Sequence, residues 1–219
     1  MTTSAPSVLS AKYWQLDPLD TSPLVDIKAR IDNKTKPLGS LGQLEKMAEQ
    51  LALIQQNSAS IEVNHACVLV FAADHGVASH PISIAPQAVT EQMVHNFLAG
   101  GAAINCFCKT SDVQLKVIDA GVITPIESQS EQFISKRISD GTRDLSTSSA
   151  MSDKQLEQAL LNGQSVAKQQ IEMGSNVLAF GEMGIGNTTS AAALLSVLYH
   201  LPAAQTAGKG TGINDLQYQ

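Results

Sequence analysis

Ala66-Cys67-Val68-Leu69-Val70-Phe71-Ala72 is apolar at every position. A strand with one wet face alternates apolar and polar residues. A run with no polar position suits a strand covered on both faces, as in a parallel sheet. Downstream, residues 74–85 read as a loop leading into a helix opened by Pro86, with Val89, Met93 and Phe97 on one stripe. Gly100-Gly101 lies within or after that helix, and a second strand spans residues 113–120 and ends in Gly121. Residues 122–151 are rich in Ser, Thr and Gln, with few apolar anchors beyond Phe133 and Ile134, and read as a long loop holding at most a short strand. Ser152 with Gln155 forms a capping box, and the helix it opens carries Leu156, Leu160, Val166 and Ile171 before stopping at Gly174. A third strand, residues 176–180, runs directly into a glycine-rich turn and an alanine-rich helix that Pro202 ends.

Upstream of the first strand, Ser40 with Gln43 reads as another capping box, followed by Leu44, Met47, Ala48, Leu51 and Ile54 at helical spacing. Residues 1–35 are irregular and dotted with Pro6, Pro18 and Pro23. Continuously apolar strands alternating with helices define an α/β class, a doubly wound parallel sheet with helices on both faces. The expected division is an arm, residues 1–35, contributing to a small helical appendage, and an α/β domain, residues 36–219. Because the sequence stops shortly after the glycine-rich run 208–212, that domain is expected to be truncated at its C-terminus.

The 219 residues are 43% hydrophobic and 16% charged, ordinary for a packed globular protein and too apolar for a disordered one. The net charge of −6 repels phosphate backbones and anionic lipid. The densest basic stretch, residues 28–36, is interleaved with Asp32 and preceded by Asp26, so neither nucleic acid nor membrane is an expected partner. The N-terminus has no basic region followed by an apolar core, and no apolar run reaches transmembrane length. Cys106 and Cys108, two apart on a helix, point in different directions. Free thiols in a reducing cytoplasm are the simple reading.

In an open parallel sheet, ligands bind beyond the carboxyl ends of the strands. Three loops leave that edge: residues 74–85, the turn after Asp119, and residues 181–189. In the third, Gly181, Gly184 and Gly186 allow a tight turn, and Asn187, Thr188 and Thr189 open a helix whose amides and dipole attract an anion. It is neither the dinucleotide G-x-G-x-x-G nor a P-loop. It reads as a phosphate nest or as an ordinary capped strand-to-helix turn. Glu182, between two glycines, faces a cationic ring or ribose hydroxyl of a ligand, or is a solvated loop residue. Gly208, Lys209, Gly210, Thr211 and Gly212 offer a similar nest or a flexible surface loop. Asp74-His75-Gly76 with His80 could supply a metal pair or general base, but no third ligand is visible at a clear spacing, and no metal is expected. Ser83, Gln87 and Gln92 can hydrogen-bond a neutral ligand, or serve as solvated or capping residues.

Taken in order along the chain, several segments resemble the nicotinate-nucleotide–dimethylbenzimidazole phosphoribosyltransferase (CobT) family. They are Lys34-Thr-Lys-Pro-Leu-Gly-Ser-Leu-Gly42, Ala73-Asp-His-Gly-Val77, Val89-Thr-Glu-Gln-Met93, Asn96-Phe-Leu-Ala-Gly-Gly-Ala102, Asp119-Ala-Gly-Val122, Gly141-Thr-Arg-Asp144, Gly181-Glu-Met-Gly-Ile-Gly-Asn-Thr-Thr189 and Gly208-Lys-Gly-Thr-Gly212. The resemblance is to the N-terminal, larger part of that family and implies a Rossmann-like fold. It implies transfer of a phosphoribosyl group from nicotinate mononucleotide to 5,6-dimethylbenzimidazole, giving α-ribazole 5′-phosphate in the assembly of the cobalamin lower ligand. Attack from the opposite face inverts the anomeric carbon, nicotinate leaves, and the incoming base loses its N–H proton.

By the same resemblance, Gly184 to Thr189 and Gly208 to Gly212 hold the phosphoribosyl and nicotinate parts. Glu182 lines the active site, and Ser83, Gln92 and Met183 border the benzimidazole pocket. No cofactor is implied, and a homodimer is. The family's general-base glutamate lies beyond the residues present, so the other expectation is a shortened, non-catalytic chain that binds nucleotide without turnover. An unrelated phosphate-releasing enzyme using Asp74 and His75 would be a further alternative.

Overall fold

The computed structural model describes residues 7–218. The chain divides into two compact units, Met1–Val63 and Asn64–Gln219. In the first, helix α1 (Leu24–Asp32) and helix α2 (Gln43–Ile54) bury Ile27, Ala52 and Leu53 between them. The boundary between these two units follows Val63, and α2 completes the small core of α1. Helix α2 begins where expected but not by the expected cap. Gly42 is the N-cap, at φ 54°, and no side chain caps the helix. Instead Leu41 N–H donates to Glu45 Oε1 at 3.0 Å, and the Lys36 ammonium lies 2.8 Å from the same oxygen. The Lys36 contact first, then the Leu41 amide, holds the Glu45 carboxyl below the usual carboxylate range. The stripe Leu44, Met47 and Ile54 is exposed. The buried positions fall on the adjoining face.

The second unit is built on a four-stranded, all-parallel sheet of strands β1 (Cys67–Ala73), β2 (Gln114–Gly121), β3 (Phe133–Ser135) and β4 (Leu178–Met183). Their order is β3-β2-β1-β4. Strand β1 is therefore bonded on both sides. Successive side chains of a strand point to opposite faces. On one face Val70 and Ala72 pack with Val94 and Phe97 of helix α3 (Val89–Ala99), Cys108 of helix α4 (Ala103–Thr110), and Leu115 and Val117 of β2. On the other, Cys67 and Leu69 pack with Ile118 and with Val166 of helix α5 (Asp153–Glu172). Both faces are dry, which is why the run at 66–72 carries no polar residue. Cys108 is buried and Cys106 exposed, so the two thiols do diverge.

Helix α5 opens with the expected capping box: Gln155 N–H donates to Ser152 Oγ at 3.3 Å, and Ser152 N–H to Gln155 Oε1 at 2.9 Å. Of its anticipated stripe only Val166 is buried, joined by Gln170, while Leu156 and Ile171 are exposed. Strand β4 continues through Glu182 into Met183, further than the apolar run alone indicates. Helix α6 (Asn187–Tyr199) follows, with Leu194, Val197 and Leu198 exposed. No helix among the described residues is long and apolar enough to cross a membrane.

Candidate active site

The chain lays down β2 and β3 successively on one side of β1, then returns through α5 to place β4 on the other. The strand order thus reverses at β1, and the crevice beyond the carboxyl ends of β1 and β4 is where ligands of open α/β sheets sit. Register aligns Phe71 with Glu182 and Ala72 with Met183. That alignment delivers the Asp74-His75-Gly76 turn beside the Gly181–Thr189 segment.

Much of the polar content at this edge is structural. Asp74 is buried, and its Oδ2 accepts Ile123 N–H at 2.7 Å. Its backbone N–H donates to Gly121 O, and its carbonyl accepts Thr142 N–H, each at 3.0 Å. Asp119 Oδ1 accepts the N–H groups of Gly121 and Val122, both at 2.9 Å. Arg137 lies 3.6 Å from Asp119 and donates to the carbonyls of Val122 and Ile123. The aspartates therefore fasten the loop after β2 to the end of β1. Gly76 is forced by this packing, since a Cβ there would sit 2.5 Å from the Arg143 carbonyl carbon.

His75 and His80 do not converge. His80 Nε2 pairs with Asp144 Oδ2 at 2.8 Å, on the surface, and Asp144 also accepts Ser146 N–H and Oγ–H. These bonds, the Ser146 amide foremost, hold the Asp144 carboxyl below the ordinary aspartate range. His75 Nε2 instead lies 2.7 Å from Glu182 Oε1, and its Nδ1 lies 3.0 Å from Ser190 Oγ in the first turn of α6. The His75 side chain is 14% exposed and that of Glu182 44%. No group of three or more metal-ligating side chains occurs among the described residues.

The glycine turn itself is tightly fixed. Gly184 is buried, and a Cβ there would stand 2.2 Å from Ala73 O and 2.9 Å from the His75 ring. Gly186, the N-cap of α6, has φ 91°, a left-handed conformation that costs other residues energy. Asn187 N–H donates to Gly184 O at 3.0 Å, and Ile185 N–H to the buried Thr90 Oγ1 at 3.1 Å. Thr188 is exposed, while Asn187 and Thr189 are half-buried.

The second glycine run approaches the first. Ser83 Oγ lies 3.2 Å from Thr211 Oγ1, and Thr188 Oγ1 lies 3.3 Å from where a Cβ on Gly210 would be. Lys209 pairs with Asp215. A cleft of about 400 Å³ opens between the start of α6 and residues 203–210, lined by Thr188, Thr189, Ala192, Ser196, Gly208 and Gly210. Met183 packs half-buried against the core that contains Phe97. Gln92 is exposed on α3. The residues that sequence reasoning missed are Ser190 and Thr90. Ser190 directly follows the Thr188-Thr189 pair, and Thr90 stands beside Val89 in the helix stripe, which is the local signal each carried.

The reversal of strand order and the two glycine loops beside it define an open α/β protein with a candidate ligand crevice at the β1–β4 edge. A family model described as "Phosphoribosyltransferase" matches residues 16–219, and the chain belongs to that family. Among curated relatives, the nicotinate-nucleotide–dimethylbenzimidazole phosphoribosyltransferase of Photobacterium profundum is 54% identical over 200 residues, covering 91% of this chain and 58% of the relative. The protein of the same name from Vibrio cholerae is 50% identical over 206 residues, covering 92% of this chain and 60% of the relative. The crystal structure of CobT from Thermus thermophilus superposes with a TM-score of 0.85 at 40% identity, over 89% of this chain and 58% of that one. The chain spans less than two thirds of the length of these relatives. The resemblance drawn from the sequence segments and the α/β parallel-sheet fold are both borne out.

Proposed function

We propose that this chain serves phosphoribosyl transfer from nicotinate mononucleotide to 5,6-dimethylbenzimidazole, releasing nicotinate and forming α-ribazole 5′-phosphate in cobalamin lower-ligand assembly. The observation that carries the reading is Glu182, anchored by His75 at the reversal of strand order and immediately preceding the glycine turn that opens α6. The names of the relatives support the choice of substrates. In this reading the turn of Gly184, Gly186, Asn187, Thr188 and Thr189 faces the loop of Gly208, Lys209, Gly210, Thr211 and Gly212 across the cleft, and the two take the phosphoribosyl and nicotinate groups. Backbone amides and the positive end of α6 favour the phosphate. Ser83, Gln92 and Met183 border the benzimidazole. Glu182 faces the sugar, where a carboxylate accepts hydroxyl hydrogens.

The chemistry asks little acid help, because nicotinate departs from a pyridinium that becomes neutral at nitrogen. Holding two flat rings on opposite sides of the ribose supplies much of the acceleration. A homodimer belongs to the same proposal and rests on the family resemblance, while a cytoplasmic setting rests on the free thiols. The test is calorimetric titration of the purified chain with nicotinate mononucleotide, followed by chromatography of a mixture with dimethylbenzimidazole. Binding of nicotinate mononucleotide is the expected outcome, and formation of α-ribazole 5′-phosphate by this chain would assign the role of base to a residue present here, Glu182. A folded chain that binds neither substrate overturns the reading.

A further inference from the structure

Three side chains from separate elements form one hydrogen-bonded line at the β1–β4 edge: Ser190 Oγ, 3.0 Å from His75 Nδ1, and His75 Nε2, 2.7 Å from Glu182 Oε1. The roles of the atoms follow from chemistry. A carboxylate only accepts, so Nε2 must carry a hydrogen and donate it to Glu182. With the ring neutral, Nδ1 is then an acceptor and the Ser190 hydroxyl donates to it. The ring is also held from the side. The space that a Cβ on Gly184 would fill is within 2.9 Å of its Cδ2 and Nε2, so only the bare glycine backbone fits against it. Gln87 Nε2, 3.4 Å from the His75 carbonyl, adds a tie to the start of α3.

We infer that His75, set in its Nε2–H form by Ser190, is a positioning residue that locks one oxygen of Glu182 and turns the other, Oε2, toward the ribose hydroxyls of the bound nucleotide. The inference deepens the function proposed above and rests on it for the identity of the ligand. A glutamate on a strand end has freely rotating torsions, and ordering such a side chain at the moment of binding costs free energy. Here the cost is met before the ligand arrives. The carboxylate is left 44% exposed, open to a donor, while its anchor is mostly buried. Oriented acceptors of this kind depend on the residues behind them as much as on the acceptor itself.

Two measurements test this on the 219-residue chain. Long-range ¹H–¹⁵N spectra of histidine-labelled protein at alkaline pH report the tautomer of His75 directly. The Nε2–H form is expected in the wild type and a mixture of the two forms in Ser190→Ala. The Nδ1–H form in the wild type overturns the inference, whatever the ligand. Calorimetry with nicotinate mononucleotide then reads the coupling. Ser190→Ala should weaken binding about tenfold in the wild-type background and leave it unchanged in a Glu182→Gln background, since both act on one group. Ser190→Thr, which keeps the hydroxyl, should restore affinity. Equal weakening in both backgrounds overturns the inference and assigns Ser190 to the nest itself. If the wild type binds no nucleotide, the functional proposal fails, while the tautomer still decides the role of His75.

Discussion

Thr90, fully buried on α3, accepts the N–H of Ile185 through its Oγ1 at 3.1 Å. This single bond ties the glycine turn to the helix that packs beneath it. Thr90→Val keeps the shape but leaves a buried amide without a partner. Such a group costs about 1–3 kcal/mol. Urea denaturation should register that loss, and affinity for nicotinate mononucleotide should fall with it. Unchanged stability would mean the turn is held by other means.

The two glycine runs should answer differently to alanine. At Gly184 a Cβ collides with the Ala73 carbonyl oxygen, which cannot move without disturbing β1. Gly184→Ala is expected to destabilise the fold by at least the ~1–3 kcal/mol typical of overpacking, and to abolish nucleotide binding. At Gly208 the same Cβ meets nothing within 4 Å, and the backbone is not left-handed. Gly208→Ala should be neutral or stabilising by about 0.4–1 kcal/mol. Melting temperatures of the two variants, measured side by side, check the contrast.

Acid stability should carry a mark of Asp144. The Ser146 amide, then the His80 and Ser146 side chains, lower its carboxyl below the ordinary value of 3.8. A folded value beneath the unfolded one contributes stability that is complete above the unfolded value. The contribution fades as pH falls through the folded value. Asp144→Asn should therefore be less stable than the wild type at neutral pH, and the two stability curves should converge below 3.8. Parallel curves down to strong acid would show that these bonds contribute nothing.

The thiols should separate by reactivity. Burial pushes the Cys67 and Cys108 thiols upward, away from the reactive thiolate, whereas Cys106 is exposed on α4. Mass spectrometry after brief alkylation of the native protein should find one modified site, Cys106, with the other two appearing only in denaturant. Early labelling of Cys67 would indicate that the sheet opens around β1.

The parts of the fold written in local patterns were legible. The unbroken apolar run at 66–72 announced a doubly covered strand, and Ser152 with Gln155 announced the start of α5. Ser40 with Gln43 made the same local offer and was overruled, because Gly42 in a left-handed turn starts α2 and Glu45 serves Leu41 and Lys36 instead. The stripe of α2 misled for a related reason. Its small unit closes on Ala52 and Leu53, leaving Leu44 and Met47 exposed. Glu182 stood out because a charge between two glycines at a strand end is unusual. Its partners could not be read, since His75 lies 107 residues before it in the chain and 115 before Ser190. Only the pairing of β1 with β4 brings them together. His75 and His80, close in sequence, invited a joint reading that the turn between them dissolves.

The reversal of strand order also sets a timetable. A ribosome delivers β1, β2 and β3 in succession, and each can dock beside its predecessor as it emerges. Strand β4 arrives only after the loop 122–151 and the whole of α5, and must travel back to the free side of β1. Contacts between segments so far apart in sequence close slowly, because the intervening chain must be ordered first. Until then one flank of β1 stays open in the nascent protein, with His75 unpaired beside it. The β1–β4 edge that carries the candidate site is thus completed later than the pairing of β1 with β2 and of β2 with β3, and the site comes into being only when that second flank closes.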